Sequence, residues 1–150
     1  MATEITIRPI QSADAAAVAR LVTQLGYPSS EAEIAERLAA LSRQTDHFTF
    51  VAEEGGRIVG LAGAYLDYAL EFSGAYGRLT GLVVDEACRG RGIGRRLMAW
   101  IEDWLRGRGA VQVTLTSGRQ RGEAHAFYRS LGYEETGLRF AKSLQRVVKV

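Results

Sequence analysis

The chain has 150 residues, 47% hydrophobic and 24% charged, with a formal net charge of +2. This is the size and balance of one globular domain with a real core, and the charge is too small to argue for a nucleic-acid partner. One cysteine, Cys88, excludes an intrachain disulfide and fits a reducing, cytoplasmic setting. No apolar run approaches the ~20 residues that span a bilayer, and Met1-Ala2-Thr3-Glu4 lacks the basic-then-apolar start of a secretory signal, so no membrane partner is expected.

Taken in chain order, Ile5 and Ile7 alternate with polar neighbours and predict a short strand ending near Pro9. Ser12 is placed to cap a helix carrying Ala15, Val18, Leu21, Val22 and Leu25 on one face, stopped by Gly26 and Pro28. Ser30 caps a second helix, with Ile34, Leu38 and Leu41 in one stripe. Phe48 to Ala52 reads as a strand, Gly55-Gly56 as a hairpin turn, and Ile58 to Leu66 as the returning strand. The stretch from Tyr68 to Gly77 is irregular and aromatic, and Leu79 to Val84 is the central strand. Ile93, Leu97, Ile101 and Leu105 recur every four residues, the core stripe of a helix ended by Gly107 and Gly109. Val111 to Leu115 is a further strand, and Glu123 to Leu131 a short helix ended by Gly132. Two last strands are expected near Tyr133–Thr136 and Leu138–Leu144. The order β-α-α-β-β-β-α-β-α-β-β predicts a mixed α/β sheet in a single domain, residues 1–150. Its one parallel pair lies across the long helix.

Most of the chemistry concentrates in Arg89-Gly90-Arg91-Gly92-Ile93-Gly94-Arg95-Arg96, between the central strand and the long helix. Glycines let backbone N–H groups come close to a ligand. The first N–H groups of a helix lack intrahelical partners, and the helix dipole favours negative charge there. Such a turn selects a phosphate or pyrophosphate. A dinucleotide-binding turn needs a third glycine and a later acid, and Gly92-Ile93-Gly94-Arg95-Arg96-Leu97 has neither; a nucleotide P-loop needs Gly-Lys-Ser/Thr, which is absent.

Arg89-Gly90-Arg91-Gly92-Ile93-Gly94 resembles the R/Q-x-x-G-x-G/A signature of the GNAT superfamily of N-acetyltransferases, with Leu82-Val83-Val84-Asp85 before it and the long helix after it. A second block, Ala126-Phe127-Tyr128-Arg129-Ser130-Leu131-Gly132-Tyr133, resembles that family's F-Y-x-x-x-G-F/Y motif, at the family's usual separation. Ser117 to Tyr133 is similar to small-amine acetylating members such as aminoalkylphosphonate N-acetyltransferases. The resemblance implies an acyl-coenzyme A N-acyltransferase fold and acetyl-coenzyme A as co-substrate. It implies an enzyme passing acetyl to a primary amine by direct attack in a ternary complex. The backbone of Leu82, Val83 and Val84 would pair with the pantetheine arm. The N–H groups from Arg89 through Gly90, Arg91, Gly92, Ile93 and Gly94 to Arg95 would hold the pyrophosphate, with Arg91 or Arg96 as candidates for an adenosine phosphate. Tyr128 would stand near the thioester sulfur as general acid, and an N–H of the Leu82–Val84 segment would face the developing oxyanion.

The general base stays open: many relatives carry a glutamate on or beside the central strand, and Tyr76 to Gly81 offers none. Candidates are Glu71, Asp67, His125 (on one helix face with Tyr128) and a water relay. Asp67, Tyr68, Glu71, Phe72 and Tyr76 either line an amine pocket or form an ordinary surface. Trp100 and Trp104 are explained by packing, and Cys88 has no neighbouring base in sequence. Two histidines, His47 and His125, and one cysteine make no metal-ligand pattern. Competing readings are a protein or peptide N-acetyltransferase, another acyl donor, and a sensor that binds acyl-coenzyme A without turnover. The apolar tail Val147-Val148-Lys149-Val150 suggests pairing in a homodimer.

Overall fold

A computed structural model describes residues 4–145. The chain forms two compact units, one ending at Leu115 and the other starting at Thr116. The first unit is a five-stranded sheet with helices on both faces. Its elements are β1 (Ile5–Pro9), α1 (Ala15–Gln24), α2 (Glu31–Ser42), β2 (His47–Glu54), β3 (Arg57–Asp67), β4 (Ala75–Val84), α3 (Ile93–Gly107) and β5 (Ala110–Thr114). The strands lie in sequence order; β1 to β4 pair antiparallel, and β4 with β5 parallel. That is the mixed sheet the sequence predicts. The β2–β3 hairpin closes through Gly55 and Gly56 at φ 57° and 79°, the left-handed pair that a two-residue hairpin requires.

The second helix starts as expected. Ser30 Oγ accepts from Glu33 N–H at 3.1 Å, and the Glu33 carboxylate accepts from Ser30 N–H, a reciprocal capping box. Leu41, predicted for the apolar stripe, is exposed, and Ile34 alone of the three is buried. The first helix starts differently. Ser12 opens a 3-10 turn, and the carboxylate that satisfies the helix entry is Asp14, which accepts from Gln11 N–H at 2.8 Å. Asp14 wins because it has a cation: Arg8 donates to both its oxygens at 2.9 Å and to Glu53 at 3.0 Å. Asp14 is only 7% exposed, and the Arg8 guanidinium holds its carboxyl below the usual range. A depressed folded-state pKa stabilises the fold above the unfolded value of ~3.9 and stops doing so as pH falls through the folded value. Arg8→Met, which strands a buried carboxylate, is therefore expected to cost roughly 3 kcal/mol in urea unfolding at pH ~7. The deficit should shrink at acid pH, as the pH falls through the lowered Asp14 value, because a protonated Asp14 needs no cation. An equal deficit at neutral and acid pH would overturn this account.

The two sheet faces are read differently along β4. Gly60 and Gly77 face α3: a Cβ at Gly60 would come 2.9 Å from Leu97 Cδ1, and one at Gly77 2.5 Å from Leu105 Cδ1. The same face carries Phe48 and Phe50 against Trp104 and Trp100, with Arg108 over the Trp104 ring at 4.1 Å, so both tryptophans pack as expected. Farther along β4, Gly81 and Val83 face the opposite layer. Leu25 lies 3.9 Å from where a Gly81 Cβ would stand, and Val83 joins Val18, Leu21 and Val51 in the core under α1. The change of side comes from a bulge. Gly63 opposes Gly81 and Ala64 opposes Leu79, so Thr80 is one residue extra and reverses the alternation.

The second unit holds α4 (Gly122–Ser130). Gly132, at φ 94°, ends it, with Tyr133 N–H donating to Tyr128 O at 3.1 Å. The two last strands expected near Tyr133–Thr136 and Leu138–Leu144 are not formed. Residues 133–144 carry no regular structure, and Leu138, Phe140 and Leu144 are exposed. Alternation makes a segment competent for a strand, but a ladder partner makes it one. The tail Val147-Val148-Lys149-Val150 lies outside the described residues.

Candidate active site

The parallel pairing of β4 with β5 runs from Ala75↔Ala110 to Arg78↔Thr114 and ends there. Leu82, Val83 and Val84 lie beyond that point, bonded to β3 on one side and past the end of the β5 ladder on the other. The Val83 side chain is buried, whereas Leu82 and Val84 are half-buried.

β4 is tied to the turn that follows by Asp85, 3% exposed. Its N–H donates to Val59 O at 2.8 Å, and its carboxylate accepts from Ala87 N–H at 3.1 Å. Arg20 and Arg57 stand 3.4 and 3.5 Å from its other oxygen. The Ala87 N–H bond holds the Asp85 carboxyl below the usual range, assisted by the two arginines against the cost of burial. Sequence reasoning quoted Asp85 only as a neighbour. The signal present was an Asp two residues ahead of an N–H that needs an acceptor, the pattern of an Asx turn.

The turn is built from backbone. Gly90 and Gly92 hold φ of 80° and 81°, and nothing lies within 4 Å of where a Cβ would stand at either. These glycines are required by conformation, and the space beside them is open; crowding inside the protein does not explain them. Gly92 is the N-cap of α3 and offers no side chain to it. The helix's own ladder begins with Arg96 N–H to Gly92 O at 3.1 Å, so Gly92, Ile93 and Gly94 precede it. The Ile93 side chain is buried against β3, so only its backbone faces the turn.

The arginines of the turn are mostly engaged with the protein. Arg89 Nε donates to Val84 O at 3.1 Å, closing the turn onto the strand. Arg91 forks onto the Glu54 carboxylate and holds it below the usual carboxylate range. Arg96 donates to Ile5 O at 3.0 Å, so this candidate for an adenosine phosphate braces α3 against β1 instead. Arg95 is exposed at the helix start. What the turn could offer an anion is therefore its N–H groups, α3's dipole and the positive charges around them.

In the second unit, Tyr128 is half-buried on α4, edge-on to Phe127 at 5.4 Å and to Tyr133 at 5.9 Å. Burial raises its phenol above the ordinary value. His125 does not join it in a shared polar contact: its Nε2 meets Gly118 O at 2.8 Å. That carbonyl only accepts, so Nε2 carries a proton in this contact. Among the other base candidates, Asp67 accepts from Tyr76 O–H and Tyr68 N–H, both at 2.9 Å, at the β3 end paired with the start of β4; Glu71 is exposed on the loop between them.

An edge opened where two parallel strands part, running into a glycine turn at a helix start, suits a donor with amide groups and a pyrophosphate. Comparison with known proteins agrees: the acetyltransferase (GNAT) family model matches residues 16–133. The chain belongs to this family. The family's donor is acetyl-coenzyme A. An aminoalkylphosphonate N-acetyltransferase of Salmonella typhimurium is 34% identical over 63% of this chain and 61% of its own length, so that match spans less than two thirds of the relative. An aminoglycoside N(6')-acetyltransferase type 1 of Stenotrophomonas maltophilia is 33% identical over 87% of each chain. Among solved structures, a GNAT family acetyltransferase of Staphylococcus aureus matches with TM-score 0.81 and 26% identity over 96% of this chain and 100% of its own. The fold is also that of the aminoglycoside N-acetyltransferase AAC(6')-Iy solved with CoA, at TM-score 0.84 and 20% identity over 97% and 98% of the two chains. Among the described residues, no helix of this GNAT member is long and apolar enough to cross a membrane.

Proposed function

We propose that this GNAT member moves an acetyl group from acetyl-coenzyme A to the primary amine of a small molecule. The observation that carries the reading is the end of the β4–β5 ladder at Arg78 and Thr114, followed by the open glycine turn. The edge of Leu82, Val83 and Val84 offers backbone partners to the amides of the pantetheine arm, as an added strand would use them. The pyrophosphate lies on the N–H groups from Arg89 to Arg95, with Gly90, Gly92 and Gly94 giving it room. An amine attacks the thioester carbon directly: the N–C bond forms, the C–S bond breaks, and one amine proton passes to water or a base. Tyr128 gives its proton to the departing sulfur and recovers one from solvent. Its raised pKa keeps it protonated at neutral pH, as a general acid requires. The acetyltransferase domain so proposed spans residues 1–150.

The amine class is supported by the relatives, whose names specify aminoalkylphosphonate and aminoglycoside acetylation. A second reading, a module that binds acyl-coenzyme A without turnover, rests on the lack of a carboxylate between Tyr76 and Val84. Calorimetric titration with acetyl-coenzyme A, with NAD and ATP as controls, tests the donor; an amine panel then tests turnover. Selective binding with turnover supports the enzyme reading, and binding without turnover supports the module. No binding by a folded sample overturns both.

A further inference from the structure

On the α1 side of the sheet, the buried apolar cluster includes Val51, Ile58 and Val83. Toward the β3–β4 loop the same face becomes polar and aromatic. Alternation and register put His47 and Thr49 of β2, Tyr65 and Asp67 of β3, and Tyr76, Arg78 and Thr80 of β4 on it. Cross-strand geometry agrees. The His47 and Tyr65 rings stack at 4.9 Å, and Tyr76 O–H donates to Asp67 Oδ2 at 2.9 Å. A Cβ at Gly63 would meet Thr80 Oγ1 at 2.7 Å and Thr49 Oγ1 at 3.7 Å. Thr80 is exposed, set out by the bulge, and the other six are half-buried.

The far end of this floor is suited to a cation. Phe72 packs edge-on to Tyr76 at 5.5 Å, and Tyr68 caps Asp67 through its N–H. Tyr68 and Phe72 expose 67% and 42% of their surface. Glu71 and Tyr65 lie near enough to Tyr76 to act on its phenol. A carboxylate beside aromatic faces attracts an ammonium group and gives a neutral molecule nothing comparable.

We propose that this face holds the acetyl acceptor, and that the acceptor is an amine with a second cationic group, bound by Asp67 and the rings of Tyr68, Phe72 and Tyr76. The inference rests on the function proposed above, in which the donor lies along the second half of β4; the acceptor then approaches from the first half. Thr80 and Tyr76 are four residues apart, ~13 Å along an extended strand, which sets the spacing between the reacting nitrogen and the second charge at roughly 10–15 Å. Arg78 lies between the two ends, opposite Tyr65, so the part of the acceptor that crosses it is uncharged, and the Thr49 hydroxyl offers an acceptor there.

The test is calorimetric titration of octylamine and of the eight-carbon α,ω-diamine onto the full chain, with and without coenzyme A. Wild type is compared with Asp67→Asn and with Glu71→Gln, the latter on an exposed loop where folding is not at risk. The diamine should bind wild type about 10-fold more tightly than the monoamine, Asp67→Asn should lose most of that preference and Glu71→Gln a smaller part of it, and the affinity for acetyl-coenzyme A should not change. Equal binding of the two amines by wild type, or a preference kept in both variants, overturns the proposal. If acetyl-coenzyme A fails to bind, the donor reading falls, while a diamine preference lost in the variants still supports the cation site.

Discussion

A chain carrying Gly92→Glu is expected to lose at least about 100-fold in affinity for acetyl-coenzyme A while still folding. Two effects contribute, and they are separable. Any side chain at φ 81° costs ~1–2 kcal/mol of backbone strain, which appears mainly as a lower urea midpoint. The carboxylate itself does not harm α3, since negative charge suits a helix N-terminus. Its effect falls on the ligand: two like charges ~5 Å apart at a protein surface repel by about 3 kcal/mol, which is the 100-fold expected. Gly92→Ala carries the strain without the charge and should bind within a few-fold of wild type. Calorimetric titration of the three chains checks this. Wild-type affinity in the glutamate variant would remove the pyrophosphate from the turn.

Tyr128→Phe should lower kcat by ~10²–10⁴-fold and leave the dissociation constant of acetyl-coenzyme A within about 2-fold. The ring stays, so the edge-on contacts with Phe127 and Tyr133 are kept; only the hydroxyl goes. The pH profile supplies a signature that a structural role would not. A general acid works while protonated, below its pKa, and burial raises that of Tyr128. Ionisation of Tyr128 should therefore lower wild-type kcat on an alkaline limb above pH ~10, and that limb should vanish in the variant. An unchanged kcat, or lost donor binding with kcat intact, removes Tyr128 from the chemistry.

What could be read from the sequence divides by the range of the interactions involved. Ser30 announced α2 because a helix cap closes within four residues; its partner Glu33, three residues on, completes the box in the structure. The start of α1 was misassigned to Ser12 because Asp14 owes its role to Arg8 and Glu53, partners that only the β1–β2 pairing assembles. β4 begins at Ala75, four residues before the expected Leu79, since Tyr76 belongs to the strand through Asp67 across the ladder. The bulge at Thr80 left no mark in composition. The glycine turn was visible as a motif, but the partners of Arg91 and Arg96 were not; Glu54 and Ile5 are 37 and 91 residues away. The pattern at residues 133–144 shows the opposite error, an alternation that is real in sequence but forms no strand.

Those distant partners have a further consequence. The turn after β4 cannot be built from its own residues: it hangs on Ile5, Gln24, Glu54 and Arg57, contributed by β1, α1 and the β2–β3 hairpin. Closing loops of that length costs entropy that the contacts they allow must offset, so the turn is complete only when the rest of its unit is. Donor affinity is then a sensitive gauge of assembly, and the relation runs both ways. A ligand that binds only the completed turn stabilises the whole sheet, by ~2.7 kcal/mol at a hundred times its dissociation constant.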